Sequence, residues 1–589
     1  MKTRPDPFAL LWPPPQRLTR RSGTCAADAD PRIRLGGDPA LRASGYRLRA
    51  GPHGIEIEAA DESGVRHASS TLAQIVRLHP GLESLPAFEI EDWPDFPRRG
   101  VMLDVSRSRV PCTETLIALI EWLASLKIDE VQLYTEHTFA YRGHEEVWSA
   151  ASPLTPDDVR VVAARCRDLG VDLVPNQQSL GHMHRWLVHE RYRPLAEVPE
   201  GVDHAFSLHR EPFSLCPTDP ASLTFLAGLY DQLLPCFESR SFNVGLDEAF
   251  DIGLGRSRAA CQSRGKGRVY VDFLRQVHGL ARDRGRRIQF WADGILQHPE
   301  LHSEIPSDAT ALVWGYEADH PFARETSALA RTGLSFYVCP GTSSWQSIAG
   351  RTANAAANLA SAALHGREAR ASGYLVADWG DRGHLQPLFA SFPGFLLGAG
   401  FAWNASAAES VDIDLAALLD AHAFGDTTGV LGRATVDLGN AYLETGCAST
   451  NGSALFFLLA FASQPLPHER MPGLSIEGLE RARVRLREVR SRLEGARDDR
   501  GDRGTRERHV AEIGWAADLL EFACGFGIAR LRTPPGSPVQ AIPGSERRRL
   551  SATLVPLVSA HRDLWLATCR PGGLAESAGW LERVLALLD

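Results

Sequence analysis

Between about residue 96 and residue 410 the apolar positions alternate between two patterns, short β-rich runs and longer stretches whose apolar residues recur at helical spacing. The short runs are GVMLDV (100–105), EVQLYT (130–135), VDLVPN (171–176), SFNVGL (241–246), RIQFWA (287–292), TALVWG (310–315), LSFYVC (334–339) and GYLVAD (373–378). The stretches between them, such as ETLIALIEWLASLK, PDDVRVVAARCRDLG and YVDFLRQVHGLARDRG, end in Gly or Lys as helices do. Eight strands alternating with helices predict an α/β fold of the (β/α)8 TIM-barrel kind, with catalytic groups on the loops that follow the strands.

The pattern differs on either side. Residues 1–95 mix alternating segments, YRLRA and GIEIEA, with one helical stretch, SSTLAQIVRLHP, and predict a small α+β domain ending at EDWPDFPRRG. The barrel is expected over 96–424. From 425 to 589 strand signals fade and charged amphipathic stretches predict a helical C-terminal domain. Its Arg and Glu residues, spaced three and four apart, predict a solvated helix face; a homo-oligomer contact through these helices is the alternative. The stretch DDRGDRGTRE (498–507) reads as an exposed turn or disordered loop.

Composition narrows the partners. With 44% hydrophobic and 23% charged residues and a net charge of -9, the chain has no broad positive field for phosphates or anionic lipid, so nucleic acid and membrane surfaces are not expected partners. No apolar run reaches about 18 residues, and prolines interrupt the apolar stretch near the N-terminus, so a cytoplasmic protein is expected. Ten cysteines without a CxxC pair predict buried free thiols rather than a zinc ribbon or disulfide framework.

Polar residues just after the strands should converge on one barrel mouth. They are Asp104 and Arg107; Glu136, His137 and Tyr141; Asn176, Gln178, His182 and His184; and Asn243, Asp247 and Glu248 at the fourth strand. The remaining strands contribute Trp291 and Asp293, Trp314 with Tyr316 and Glu317, Tyr337 with Trp345, and Asp378, Trp379 and Asp381; Arg99 sits just before the first strand. Flat indole rings stack on the apolar faces of pyranoses while carboxylates, amides and Arg bind hydroxyls, so a carbohydrate is the natural guest. Two adjacent acids after an apolar strand, Asp247 and Glu248, repel unless a site uses them, although acids also favour a helix start. His182 and His184 form an HxH pair, with Asp293 and Asp381 also at strand ends, but the fifth and sixth strand ends offer no further His. No metal or other cofactor is expected.

NVGLDEAF resembles the strand-four motif of glycoside hydrolase family 20, the β-N-acetylhexosaminidases, with Asn243 and Leu246 replacing a His and a Gly. FPRRGVMLDVSR is similar to the family's opening strand, VPNQQSLGHMHRW to its third-strand loop, and VADWGDRG to its last strand. The second-strand loop, LYTEHTFAYRGHEEVW, departs from the family's pattern and has no match for its usual aspartate. The resemblance implies an exo-acting retaining hydrolase of terminal β-linked GlcNAc or GalNAc, in which the substrate's own acetamido oxygen attacks and an oxazolinium forms. It implies that Glu248 is the general acid and base, its pKa raised by burial and a neighbouring charge, and that the ionised Asp247 orients the acetamido group. It further implies that Arg99 and Asp381 bind hydroxyls, that Trp291, Trp314 and Trp379 enclose the sugar, that Tyr337 donates to the acetamido oxygen, and that His182 supports an acid. The alternatives are a retaining glycosidase with a carboxylate nucleophile, for which Glu317 is the candidate, and a non-catalytic sugar-binding barrel.

Overall fold

The computed structural model describes residues 6–81, 83–205, 207, 209–410, 412–494 and 503–589. Residues 498–502 of the acidic-basic stretch therefore lie outside the described residues.

Strands β1 (Arg17–Ala26), β2 (Arg32–Leu35), β3 (Tyr46–Gly51), β4 (Gly54–Ala59) and β5 (Ser84–Asp92) form one sheet in the order β1-β5-β3-β4-β2. In β3 and β4 alternate residues are buried, so Leu48, Ile55 and Ile57 face the helix Glu62–Leu78. That helix begins earlier than its apolar run suggests, because Asp61 caps it by accepting the Gly64 N–H at 2.9 Å.

Eight parallel strands follow: β6 (Arg98–Asp104), β7 (Glu130–Tyr134), β8 (Asp172–Val174), β9 (Ser241–Asn243), β10 (Arg287–Trp291), β11 (Thr310–Trp314), β12 (Ser335–Cys339) and β13 (Gly373–Asp378). Their order β8-β7-β6-β13-β12-β11-β10-β9 is that of a barrel opened between β8 and β9. A parallel bridge between Asn176 and Asn243 closes the gap, with Gln177 N–H to Asn243 O at 3.0 Å and Asn243 N–H to Pro175 O at 2.9 Å. The outer helices carry their own stop signals: Pro156–Leu169 starts with a Thr155–Asp158 capping box and ends at Gly170, φ +69°.

The C-terminal helices Ile476–Glu494, Arg503–Leu531, Gly544–Leu566 and Leu574–Leu588 pack in sequence. Some of their arginines bridge elements rather than facing solvent alone, as in Arg487–Glu521 (2.7 Å) and Arg485–Asp437 (2.8 Å). This region docks on the end of the barrel where the strands finish. Cys112 N–H donates to Thr568 O (3.0 Å), Arg570 N–H to Val110 O (2.8 Å), and Gly573, φ +75°, lies so close to Ser108 that a Cβ there would sit 1.8 Å from its carbonyl. Among the described residues no helix is long and apolar enough to cross a membrane.

Candidate active site

The strand β9 stops at Asn243, and the chain then leaves regular geometry: Gly245, Leu246 and Glu248 all have positive φ, at +72°, +74° and +50°. In an extended strand adjacent side chains point to opposite faces. The left-handed kinks on both sides of Asp247 break that alternation and let both acids face the mouth, a strain of the sort functional loops retain. Gly245 is required here, since a Cβ would lie 1.8 Å from Gln178 Oε1.

The two carboxylates occupy different environments. Asp247 is buried, and its Oδ1 accepts the Gln178 amide at 2.7 Å while Oδ2 lies 3.4 Å from His182 Nε2. Burial alone would push its pKa up, but the charge and hydrogen bond of His182 and the Gln178 amide hold it below the usual value. The Glu248 side chain is 38% exposed, with Oε2 at 3.1 Å from the same His182 nitrogen. The protein alone therefore does not bury Glu248, contrary to the expectation from sequence; a guest in the mouth has to cover it.

His182 is fully buried, which opposes a charged ring, yet Asp247 and Glu248 raise its pKa to about 10. Its Nδ1 lies 3.6 Å from Glu136 Oε1 and 3.4 Å from Arg107 Nη2. Glu136, on the divergent loop after β7, is buried, accepts the Tyr134 hydroxyl at 3.0 Å and has its pKa raised by burial against the opposing charge of Arg107. Asp293 accepts the Glu248 N–H (3.0 Å) and the Trp314 indole N–H (3.3 Å), and burial, with the Asp247 charge, lifts its pKa to about 7.

Of these groups Arg107, Asp247, Glu248 and Asp293 line a cavity of about 850 Å³ walled by Trp291, Trp314, Tyr316, Trp345 and Trp379, with His182 behind the two acids. Trp314 stacks on Tyr316 with centroids 5.3 Å apart, and the Arg107 guanidinium stands 4.7 Å from the Trp379 centroid. Among the described residues the indole N–H of Trp291 is buried without a hydrogen-bond acceptor, and Trp379 interacts with the Tyr316 hydroxyl. Arg107 also pairs with Asp104 (3.0 Å) and Asp381 (3.1 Å). Burial raises the Asp381 pKa against that pairing.

Asp247, Glu248, His182, Trp291, Trp314, Trp379 and Asp381 thus come together, while two expected residues do not. Arg99 lies at the opposite end of β6, roughly 16 Å below Asp104 at strand rise. There it is buried against Asp129 (2.6 Å), the Lys127 carbonyl (2.9 Å) and the Trp403 ring, joining the small sheet to the barrel floor. The arginine of the mouth is Arg107. Tyr337 points into the barrel interior, where its hydroxyl donates to Glu130 (3.1 Å) and its ring covers Gly373; Tyr316 is the tyrosine of the cavity. Arg107, Glu136, Asp293 and Tyr316 all follow strands, and that position was the signal that marked them.

The other chemistries fit less well. Both oxygens of Glu317 are held by Arg351, at 2.8 and 2.9 Å, which leaves it poorly placed as a nucleophile. His182, Asp247 and Glu248 bring ligand-type atoms within 4.8 Å of one another, but Arg107 sets a fixed positive charge beside them. His184 turns away and stacks on Phe213.

Residues 96–361 match the model of the glycosyl hydrolase family 20 catalytic domain, and residues 15–93 match that family's domain 2. A lacto-N-biosidase of Bifidobacterium bifidum is 24% identical over 282 residues, covering 46% of this chain and 23% of its own. A β-hexosaminidase of Vibrio furnissii is 26% identical over 357 residues, covering 53% of this chain and 54% of its own. The matched part of the chain therefore spans about half or less of these relatives. The Streptomyces plicatus N-acetyl-β-hexosaminidase in complex with Thio-NAglucal shares the fold, with a TM-score of 0.56 at 17% identity over 72% of this chain and 95% of that one.

Proposed function

Because the chain belongs to glycosyl hydrolase family 20, we propose that it is an exo-acting retaining β-N-acetylhexosaminidase that removes terminal β-linked GlcNAc or GalNAc by substrate-assisted catalysis. The observation that carries this reading is the division between two adjacent carboxylates: Asp247 is buried and held ionised, whereas Glu248 is open at the cavity rim.

The sugar ring lies over Trp379 with its acetamido group among Trp291, Trp314 and Tyr316. Asp247 accepts the acetamido N–H and so turns the carbonyl oxygen toward the anomeric carbon. That oxygen forms a bond to C1 as the C1–O bond to the leaving group breaks, and Glu248 delivers a proton to the departing oxygen. The positive charge spread over the oxazolinium is stabilised by Asp247. Glu248 then takes a proton from the water that attacks C1, and the ring opens with net retention. His182, charged and 3.1 Å away, stabilises the Glu248 carboxylate left after proton transfer, and Glu136 holds the far side of the imidazole. Arg107 and Asp381 present a donor and an acceptor to the outer hydroxyls.

The test is hydrolysis of nitrophenyl β-N-acetylglucosaminide and β-N-acetylgalactosaminide beside nitrophenyl β-glucoside. The reading expects turnover of at least one N-acetyl substrate, none of the glucoside, and inhibition by a thiazoline analogue of the oxazolinium. Turnover of the glucoside at a similar rate would contradict it.

A further inference from the structure

A second cavity, of about 420 Å³, adjoins the first and shares Arg107, Glu248 and Asp381 with it. Glu248 lies on the boundary, so a sugar held over Trp379 has its leaving group directed into this second space. Besides Arg107 and Arg185, which are held in salt bridges, three more arginines line it: Arg382 on the loop after β13, Arg470 ahead of the helix Ile476–Glu494, and Arg583 on the last helix.

Each of these guanidiniums is positioned by an aromatic ring instead of an acid. Arg382 stands 5.1 Å from the Phe461 centroid, Arg470 4.5 Å from Phe457, and Arg583 4.2 Å from Trp580. Their hydrogen bonds go to neutral acceptors, Arg382 Nε to Gln346 Oε1 (3.0 Å) and Arg470 Nη2 to the Thr450 carbonyl (2.9 Å). Among the described residues none of the three forms a salt bridge. The acids of the same cavity are already matched: Glu136 and Asp381 face Arg107, Glu576 faces Arg185 (2.7 Å), Glu211 faces His204 (3.5 Å) and Glu248 faces His182. Burial depresses the pKa of all three arginines, outweighing the opposing charges of Asp381 at Arg382, Glu469 at Arg470 and Glu576 at Arg583. A chain of net charge -9 thus places three cations that are outside any salt bridge among the described residues at one side of its mouth, and the rings they stand over all belong to the C-terminal region.

We propose that this second cavity binds the leaving group, and that the leaving group is a sugar bearing an anionic substituent, a carboxylate or a sulfate ester, held by Arg382, Arg470 and Arg583. Planar guanidiniums meet either anion with paired N–H donors. The C-terminal helical region is then a specificity element for the aglycone. This inference rests on the hydrolase reading above.

The experiment compares kcat/KM of the full chain on three disaccharides, in which the N-acetylhexosamine favoured in the nitrophenyl assay is β-linked to glucose, to glucuronic acid and to a 6-sulfated glucose, with the GlcNAc and GalNAc nitrophenyl glycosides as references. One anionic disaccharide should be preferred over the neutral one by about tenfold or more, and the better arm identifies the anion. The preference should shrink as salt rises from about 0.05 M to about 0.5 M. It should fall to about threefold or less in Arg470→Gln and in Arg583→Gln, with part of it restored in Arg583→Lys. If a reference is hydrolysed and all three disaccharides are cleaved equally, the anion site is overturned while the hydrolase reading stands. A preference that survives in both Gln variants overturns the assignment to these arginines, and a chain inert toward every substrate overturns both readings. Should the variants fail to fold, the salt dependence of the wild-type preference decides.

Discussion

Replacing Asp247 by Asn removes one negative charge and almost no volume from the most enclosed part of the site. The Gln178 amide, 2.7 Å from Oδ1, still meets an acceptor, so the loop keeps its shape. Two things change. The developing positive charge on the oxazolinium loses a preorganised countercharge, an interaction of the kind worth about 3–4 kcal/mol, or about 10²–10³ in rate. His182 also loses the largest of the influences that lift its pKa to about 10, and its ring moves toward neutrality. The loss should be nearly independent of the leaving group, because Asp247 acts on the acetamido side. Glu248→Gln should behave in the opposite way, with a severe loss for poor leaving groups and a mild one for very acidic phenols, which depart without a proton. The assay is kcat/KM for a series of aryl N-acetyl-β-hexosaminides of graded phenol acidity, measured for both variants and plotted against leaving-group pKa. A flat loss for Asp247→Asn beside a sloping one for Glu248→Gln supports the division of labour; equal slopes refute it.

Gly245→Ala forces a Cβ to within 1.8 Å of Gln178 Oε1 at a positive φ, so it should cost about 2 kcal/mol or more in thermal or denaturant unfolding and depress turnover through Asp247. Arg99→Met leaves Asp129 without its 2.6 Å partner and should cost about 3–5 kcal/mol of stability with KM little changed in the folded fraction, whereas Arg107→Met should raise KM sharply. Asp293, with its pKa raised to about 7, keeps a proton in the folded state that the unfolded chain releases above about pH 4. It therefore subtracts stability as pH climbs from about 4 to 7, and Asp293→Asn should flatten that part of the stability profile in denaturant titrations at stepped pH.

All eight barrel strands were legible because each is a short apolar run between helical stretches, and the acid pair stood out because two neighbouring carboxylates after such a run need a reason. The error at Arg99 came from two arginines flanking one strand. Only the one that follows the strand, Arg107, reaches the mouth, and the resemblance assigned the role to the one that precedes it. Tyr337 failed because a barrel interior is filled by inward side chains at several depths, and alternation does not say which layer meets a cavity. Glu136 was marked by its place after the second strand but given no role, since that role depends on the contact of its carboxylate with His182 across two strands. The arginines of the second cavity were the least visible. Arg470 and Arg583 sit among many charged residues of a helical region, and only packing distinguishes a guanidinium over a ring from one in solvent.

The central claim is that the attacking group belongs to the substrate. It is tested most directly by measuring kcat/KM for nitrophenyl β-glucosaminides whose N-acetyl group carries zero, one, two or three fluorines. Each fluorine withdraws electrons from the amide oxygen without altering the leaving group, so the account predicts a steep, monotonic fall across the series. A rate that does not depend on fluorine count would contradict it.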